Sequence, residues 1–195
     1  MTTYNWTAAG TYCENLGSGS DYGGYTDWRL PNPHEAFFIN KLESFNPAVN
    51  ETYFPNTNAV YPGGYWTNTK YGADDSKGWY ANFAYGFVYI QDITTDTFNA
   101  RCVRGNQLTD NYTDNGDNTI TDNNSGLIWE KTESSAMTWQ AALADCEALT
   151  LGGVSDWRLP NIKELQSIVD YDKSSVPFKK AAFFPAALSS SYWSS

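Results

Sequence analysis

The chain has 195 residues, 41% apolar and 16% aromatic, enough to bury one or two cores of ordinary domain size. Twelve Lys and Arg face 22 Asp and Glu for a net charge of -10, which repels phosphate backbones, anionic bilayers and sulfated polymers. Nucleic acid and membrane surfaces are set aside as partners, unless a local basic patch such as Arg101 to Arg104 stands apart from the rest. No apolar run approaches the roughly 20 residues of a membrane-spanning helix, and Met1-Thr2-Thr3-Tyr4 is not a signal peptide, so the export signal of a secreted protein is expected outside this chain.

The first element is a short amphipathic helix. Trp6, Ala9, Gly10, Cys13 and Leu16 share one helical face behind Asn5, a candidate N-cap. Then comes Asp27-Trp28-Arg29-Leu30-Pro31-Asn32. Asn32, Pro33 and Glu35 have the spacing of a capping box with proline at the first helical position, and predict a second helix with Phe38, Ile39 and Leu42 on its buried face. Its first turn carries His34, the chain's only histidine and an expected solvated helix-start residue. A long loop region follows. From Trp79 the period falls to two: Trp79, Ala81 and Phe83 alternate with Tyr80 and Asn82, and Phe87 to Ile90 and Phe98 to Val103 are further strands of an antiparallel sheet. Gly63-Gly64, Asp74-Asp75 and Thr94 to Asp96 read as loop tips.

Within the segment 110–131, the stretch from Asp114-Asn115-Gly116-Asp117 to Asp122 admits two readings. One is a Ca2+ site using Asp114, Asp117 and Asp122, but these acids miss the spacing of an EF-hand loop. The preferred one is a hairpin turning at Asn115-Gly116, with a second turn at 123–126 leading into Leu127-Ile128-Trp129.

After this the chain repeats itself. Trp139, Cys146, Asp156 to Asn161, Glu164, Phe184-Pro185 and Tyr192-Trp193 answer Trp6, Cys13, Asp27 to Asn32, Glu35, Phe54-Pro55 and Tyr65-Trp66, at offsets of 127 to 133 residues. Such a period indicates duplicated domains, 1–106 and 107–195, and not a solenoid. Thr138 and Asn161 are the matching caps, and Leu165, Ile168 and Val169 the matching buried face. The segment 110–131 has no counterpart before Trp6, and the region 67–104 has none after Trp193.

Three cysteines leave two readings open. Cys13 with Cys102 would close a loop of about 90 residues, worth roughly 4 kcal/mol in chain-entropy models, with Cys146 unpaired; otherwise all three are reduced buried thiols. Catalysis finds no footing, and no enzyme activity is expected. His34 is answered by Lys163 in the second copy, and the repeated acids Asp27, Asp156, Glu35 and Glu164 suit turns and caps. Arg29 and Arg158 are expected in a buried or stacked structural contact.

The strings Thr-Asp-Asn-Asn-Ser-Gly-Leu-Ile-Trp-Glu-Lys, Ser-Asp-Trp-Arg-Leu-Pro-Asn-Ile-Lys-Glu-Leu and Tyr-Trp-Ser-Ser, with the Arg-Cys-Val-Arg run at 101 to 104, resemble the DUF1566 family, the C-terminal domain of the Lcl collagen-like adhesin. The resemblance covers essentially the whole chain as two copies. It implies an α+β fold related to C-type lectins, two short helices on a small twisted antiparallel sheet, with a terminal disulfide carried by Cys13 and Cys102. It also implies binding at the cell surface, with a glycan or protein as partner. Tyr65, Asn68, Tyr71, Asp74, Asp75, Trp79, Tyr80, Asn82 and Tyr85, with Tyr61 and Tyr89 nearby, combine rigid rings with small polar groups as recognition surfaces do; of the region's aromatics, Trp66, Trp79 and Phe83 are also candidate core. The alternative is a structural subunit or spacer in a surface assembly, a homo-oligomer or polymer sharing strands between chains.

Overall fold

A computed structural model describes residues 2–18, 22–60, 63–107, 109–176, 178–185 and 191–195. The chain divides into two compact units, Met1–Gln107 with Tyr171–Ser174, and Leu108–Asp170 with Ser175–Ser195. Both mix short helices with small antiparallel strands, an α+β architecture.

In the first unit α1 (Trp6–Leu16) begins at Asn5, whose side chain accepts the Ala8 N–H at 2.9 Å, and buries Ala9 and Cys13. The pentapeptide folds as one hydrogen-bonded piece. Trp28–Arg29 is the short strand β1, Leu30 and Pro31 are buried, and Asn32 caps α2 (Pro33–Phe38). Asn32 Oδ1 accepts from the Glu35 N–H at 2.7 Å, and Glu35 Oε2 accepts from the Asn32 N–H at 2.8 Å. The same carboxylate receives both terminal nitrogens of Arg29 at 2.7 Å. The Arg29 contact is thus a bidentate ion pair and not ring stacking, and Glu35 serves helix cap and arginine together. The buried face of α2 is Pro33, Ala36 and Phe37, whereas Phe38 and Leu42, expected inside, are exposed. The helix ends at Phe38, so Leu42 has left the helical track on which the expected stripe was drawn.

The sheet is larger than the period-two signal suggested. β2 (Gly64–Tyr71), β3 (Asp74–Asn82) and β4 (Phe87–Asp92) lie in that order, antiparallel. Its faces are both covered. Trp66 and Tyr80 pack with Ala9, Cys13, Leu30 and Phe98; Tyr65 and Ala81 pack with Ala36, Val49 and Phe83. Burial on both sides removes the alternation by which a half-exposed strand is recognised, so Gly64 to Tyr71 read as loop. Gly64 opens β2, where an added Cβ would stand 2.6 Å from the Phe98 ring, and Asp74-Asp75 open β3 after a turn at Gly72-Ala73. The expected strand Phe98 to Val103 is reduced to bridges at Phe98 and Asn99 and the two-residue β5 (Val103–Arg104), which pairs with β1. Cys13 and Cys102 form a disulfide across 89 positions, excluding three free thiols, and Cys146 is the free cysteine.

In the second unit β6 (Tyr112–Asp114), β7 (Thr119–Asp122) and β8 (Ile128–Glu130) make a meander with turns where the hairpin reading placed them. The carboxylates proposed for Ca2+ work within this meander. Asp114 pairs with Lys131 and accepts from the Gly116 N–H; Asp117 accepts from the Thr119 N–H and hydroxyl; Asp122 accepts from the Asn124 N–H and the Ser125 hydroxyl. α3 (Trp139–Ala148) is capped by Thr138, and α4 (Ile162–Ser167) has a capping box from Asn161 and Glu164. Ile120, Ile168 and Phe184 form the core.

The duplication extends to individual hydrogen bonds. Trp6 donates its indole N–H to Thr67 O as Trp139 does to Ser194 O; Trp66 donates to Tyr4 O as Trp193 does to Met137 O; the Asn68 N–H reaches Pro31 O as the Ser195 N–H reaches Pro160 O. The bridge Asn40 to Val49 returns as Val169 to Lys179, and Arg158 holds Glu164 as Arg29 holds Glu35.

Candidate functional site

Of the nine residues read as a recognition surface, three are interior. Tyr65 is buried, its hydroxyl accepting the Asn58 N–H at 2.6 Å; Asn82 is buried, its Oδ1 accepting the Ala84 and Tyr85 N–H groups; Trp79 is buried, with its indole donating to the Tyr171 carbonyl. Tyr80 is half-buried and stacks on Phe98 at 4.5 Å, and Tyr71 packs edge-on against Trp79. These side chains hold the sheet together. Half-buried Asn68 donates to Gln107 Oε1 at the surface. Asp74 caps the start of β3 through Ser76, whose side chain and backbone N–H hold its carboxyl below the usual range. Asp75 is exposed beside it, while Tyr85 lies past the other end of β3, about 26 Å away along nine strand residues. The nine residues therefore do not converge on one site. Tyr61 lies outside the described residues.

The structure gathers a different set around Tyr85. The segment 41–48 runs beside the β3–β4 turn, with the Asn46 N–H on Ala84 O at 3.0 Å and the Ala48 N–H on Phe83 O at 2.6 Å. Gly86, at φ +76°, takes the left-handed conformation there, and its missing side chain lets Leu42 approach. Phe45, Tyr85 and Phe87 then form a row of rings, 5.6 Å and 6.0 Å between neighbouring centroids. Tyr89 follows Phe87 on the outward face of β4. Exposures are 70% for Phe45, 52% for Tyr85, 39% for Phe87 and 59% for Tyr89, and Leu42 is also exposed. Sequence reasoning reached Tyr85 and assigned Phe87 to Ile90 to a strand, but missed Phe45. The available signal was the Ser44-Phe45-Asn46-Pro47 turn, which places a large ring where nothing local buries it.

Arg101 and Arg104 do not form a basic patch. The Arg101 guanidinium lies 4.9 to 5.1 Å from the centroids of the Phe54, Tyr65 and Phe83 rings and donates to Thr57, and burial pushes it below its ordinary pKa. Arg104 pairs with Asp27 and covers the Tyr25 ring. His34, expected in solvent, is half-buried with its ring edge-on to Tyr171 at 5.0 Å. Among the described residues no group of three or more His, Cys, Asp or Glu is placed to hold a metal ion, and no helix is long and apolar enough to cross a membrane.

The sequence profile of the Lcl C-terminal domain matches residues 1–104 and 118–195. No curated protein and no solved structure matches the chain.

Proposed function

The chain belongs to the Lcl C-terminal domain family, and we propose that it is an extracellular ligand-binding or adhesion module, related in fold to C-type lectins, that takes a glycan or protein at a cell surface. The carrying observation is the exposed row Phe45, Tyr85 and Phe87 with Tyr89. Contiguous exposed apolar surface of this kind marks interaction sites, and rigid rings contribute contact area at small entropic cost. The long-range disulfide suits an oxidising compartment. The net charge of -10 and the occupied Arg101 and Arg104 argue against sulfated glycans. The test is a glycan array and a protein pull-down run with the native chain and with Tyr85→Ala and Phe87→Ala. These exposed substitutions should leave the fold intact and cut binding about tenfold or more if the rings are anchors. Ligand retention undiminished in both variants would sink this site.

A further inference from the structure

The three-stranded sheet of the first unit has two edges, and only one is closed. On the β2 side Gly64 O accepts the Asn99 N–H, the Trp66 N–H donates to Asn99 O, and the Asn68 N–H donates to Pro31 O. Register shifts on either side of Lys70 also break the regularity of β2. Covering segments, irregularities and lysines of this kind keep an edge strand from pairing with another chain. β4 has none of them. Its register with β3 runs unbroken from Asn82↔Phe87 to Lys77↔Asp92, and its sequence Phe-Val-Tyr-Ile-Gln-Asp holds no proline or lysine.

The ladder fixes which groups of β4 face outward. The Ile93 N–H donates to Ser76 O, and bonded pairs alternate along an antiparallel ladder, so Gly78–Gln91, Tyr80–Tyr89 and Asn82–Phe87 are bonded pairs as well. The N–H and C=O groups of Val88 and Ile90 therefore point away from β3. None of these four groups has a hydrogen-bond partner among the described residues. The next outward residue, Asp92, is closed by its own turn, its N–H donating to Asp96 Oδ2 and its carbonyl accepting the Asp96 N–H. At the other end the Gly86 N–H is held by Asn82 O. The open stretch is thus two residues placed symmetrically about Tyr89.

We propose that this edge pairs with the same edge of a second copy, antiparallel about a twofold axis at Tyr89. In that register Val88 meets the second copy's Ile90, and Ile90 its Val88, so all four open groups are used and no occupied one is needed. Moving the axis one residue either way calls on Gly86 or Asp92, whose groups are taken. The side chains agree. Exposed Tyr89 stands against its own copy, exposed Phe87 against Gln91, and half-buried Val88 against Ile90, so aromatic and β-branched pairs cross the junction. Asp92, the strand's single charge, falls opposite Gly86, about 20 Å along the strand from its counterpart. A self-complementary contact of this kind closes as a dimer and needs no second surface. The pairing goes beyond the ligand-binding reading and stands whether or not the aromatic row takes a ligand; it joins two such rows at Tyr89.

Sedimentation equilibrium of the full chain tests this. A contact through one short strand is small and therefore weak, so the average mass should climb from that of one chain toward that of two as concentration rises. In a Cys146→Ser background, Tyr89→Cys should give a dimer linked 89 to 89 under mild oxidation, since facing residues of a non-bonded pair lie within disulfide reach. Gln91→Cys should link at least about tenfold less, because its counterpart is then about 14 Å away along the strand. Ile90→Pro removes an outward N–H and no bond to β3, and should weaken the dimer about tenfold or more. Tyr89→Lys, which sets two cations face to face without changing the backbone, should do the same. Near-UV circular dichroism matching the native chain's shows that the variants fold. A chain that stays monomeric at its highest soluble concentration overturns the proposal and leaves the edge to a strand of another protein. So do equal yields from the two cysteine variants, or a dimer that both Ile90→Pro and Tyr89→Lys leave intact.

Discussion

Trp66 and Trp193 donate the same indole hydrogen bond, at 2.7 and 2.9 Å, to the carbonyl two residues before the first helix of their copy. Trp66 is fully buried; Trp193 is 53% exposed. The same contrast runs through Tyr65 and Tyr192, Cys13 and Cys146, and Arg29 and Arg158, whose side chains are 23% and 56% exposed. Local hydrogen bonding is thus preserved where burial is not. Caps, capping boxes and the Arg–Glu clamp need only residues close in sequence, whereas burial needs Tyr80, Phe98 and Cys102, which have no equivalents in residues 108–195.

The contrast predicts unequal mutational costs. Trp66→Ala should destabilise the first unit by about 3–5 kcal/mol, the usual cost of emptying a core tryptophan site, while Trp193→Ala should cost under about 1 kcal/mol; chemical denaturation followed by amide hydrogen exchange in each unit separates the two. Comparable losses would mean that Trp193 is as enclosed as its twin. Removing the disulfide with Cys13→Ser should cost about 2–4 kcal/mol in the first unit, whereas Cys146→Ser should change little; a thermal scan with and without reductant reads both. Asn32→Ala and Asn161→Ala should each cost about 1 kcal/mol. Near-equality would confirm that the capped motif is autonomous.

The smallest effect is in pH. Burial pushes the Glu35 carboxyl up, but Arg29 and the Asn32 N–H outweigh it and hold it below its ordinary value. Arg158 first, then the Asn161 N–H, hold Glu164 down likewise. A depressed carboxyl contributes stability that is complete above its unfolded pKa and is lost as pH falls through the folded one. Glu35→Gln should therefore flatten the acid limb of the first unit's stability curve, and Glu164→Gln should do so less, since Arg158 is the more exposed partner. An acid limb unchanged in Glu35→Gln would show that the clamp contributes no pH-dependent stability.

What could be read before folding follows the same division. Asn5, Asn32, Thr138 and Asn161 were recognisable as caps, and the hairpin around Asn115-Gly116 as a turn, because those interactions span two to four residues. The nine residues grouped by composition are divided by the fold, because composition does not say which ring points inward: Tyr65, Trp79 and Asn82 have the residue types of a binding surface and the positions of a core. Phe45 was passed over because its neighbours Tyr85 and Phe87 stand forty or more positions away.

The residue order by itself determined the duplication, the helix starts, the meander turns and the two candidate disulfide partners, since each is a pattern of short-range chemistry or an internal match. Only the tertiary structure decided which copies of the same residues are buried. Burial depends on strands brought in from 74–104, and the sheet they form hides its own sequence signal by being covered on both faces.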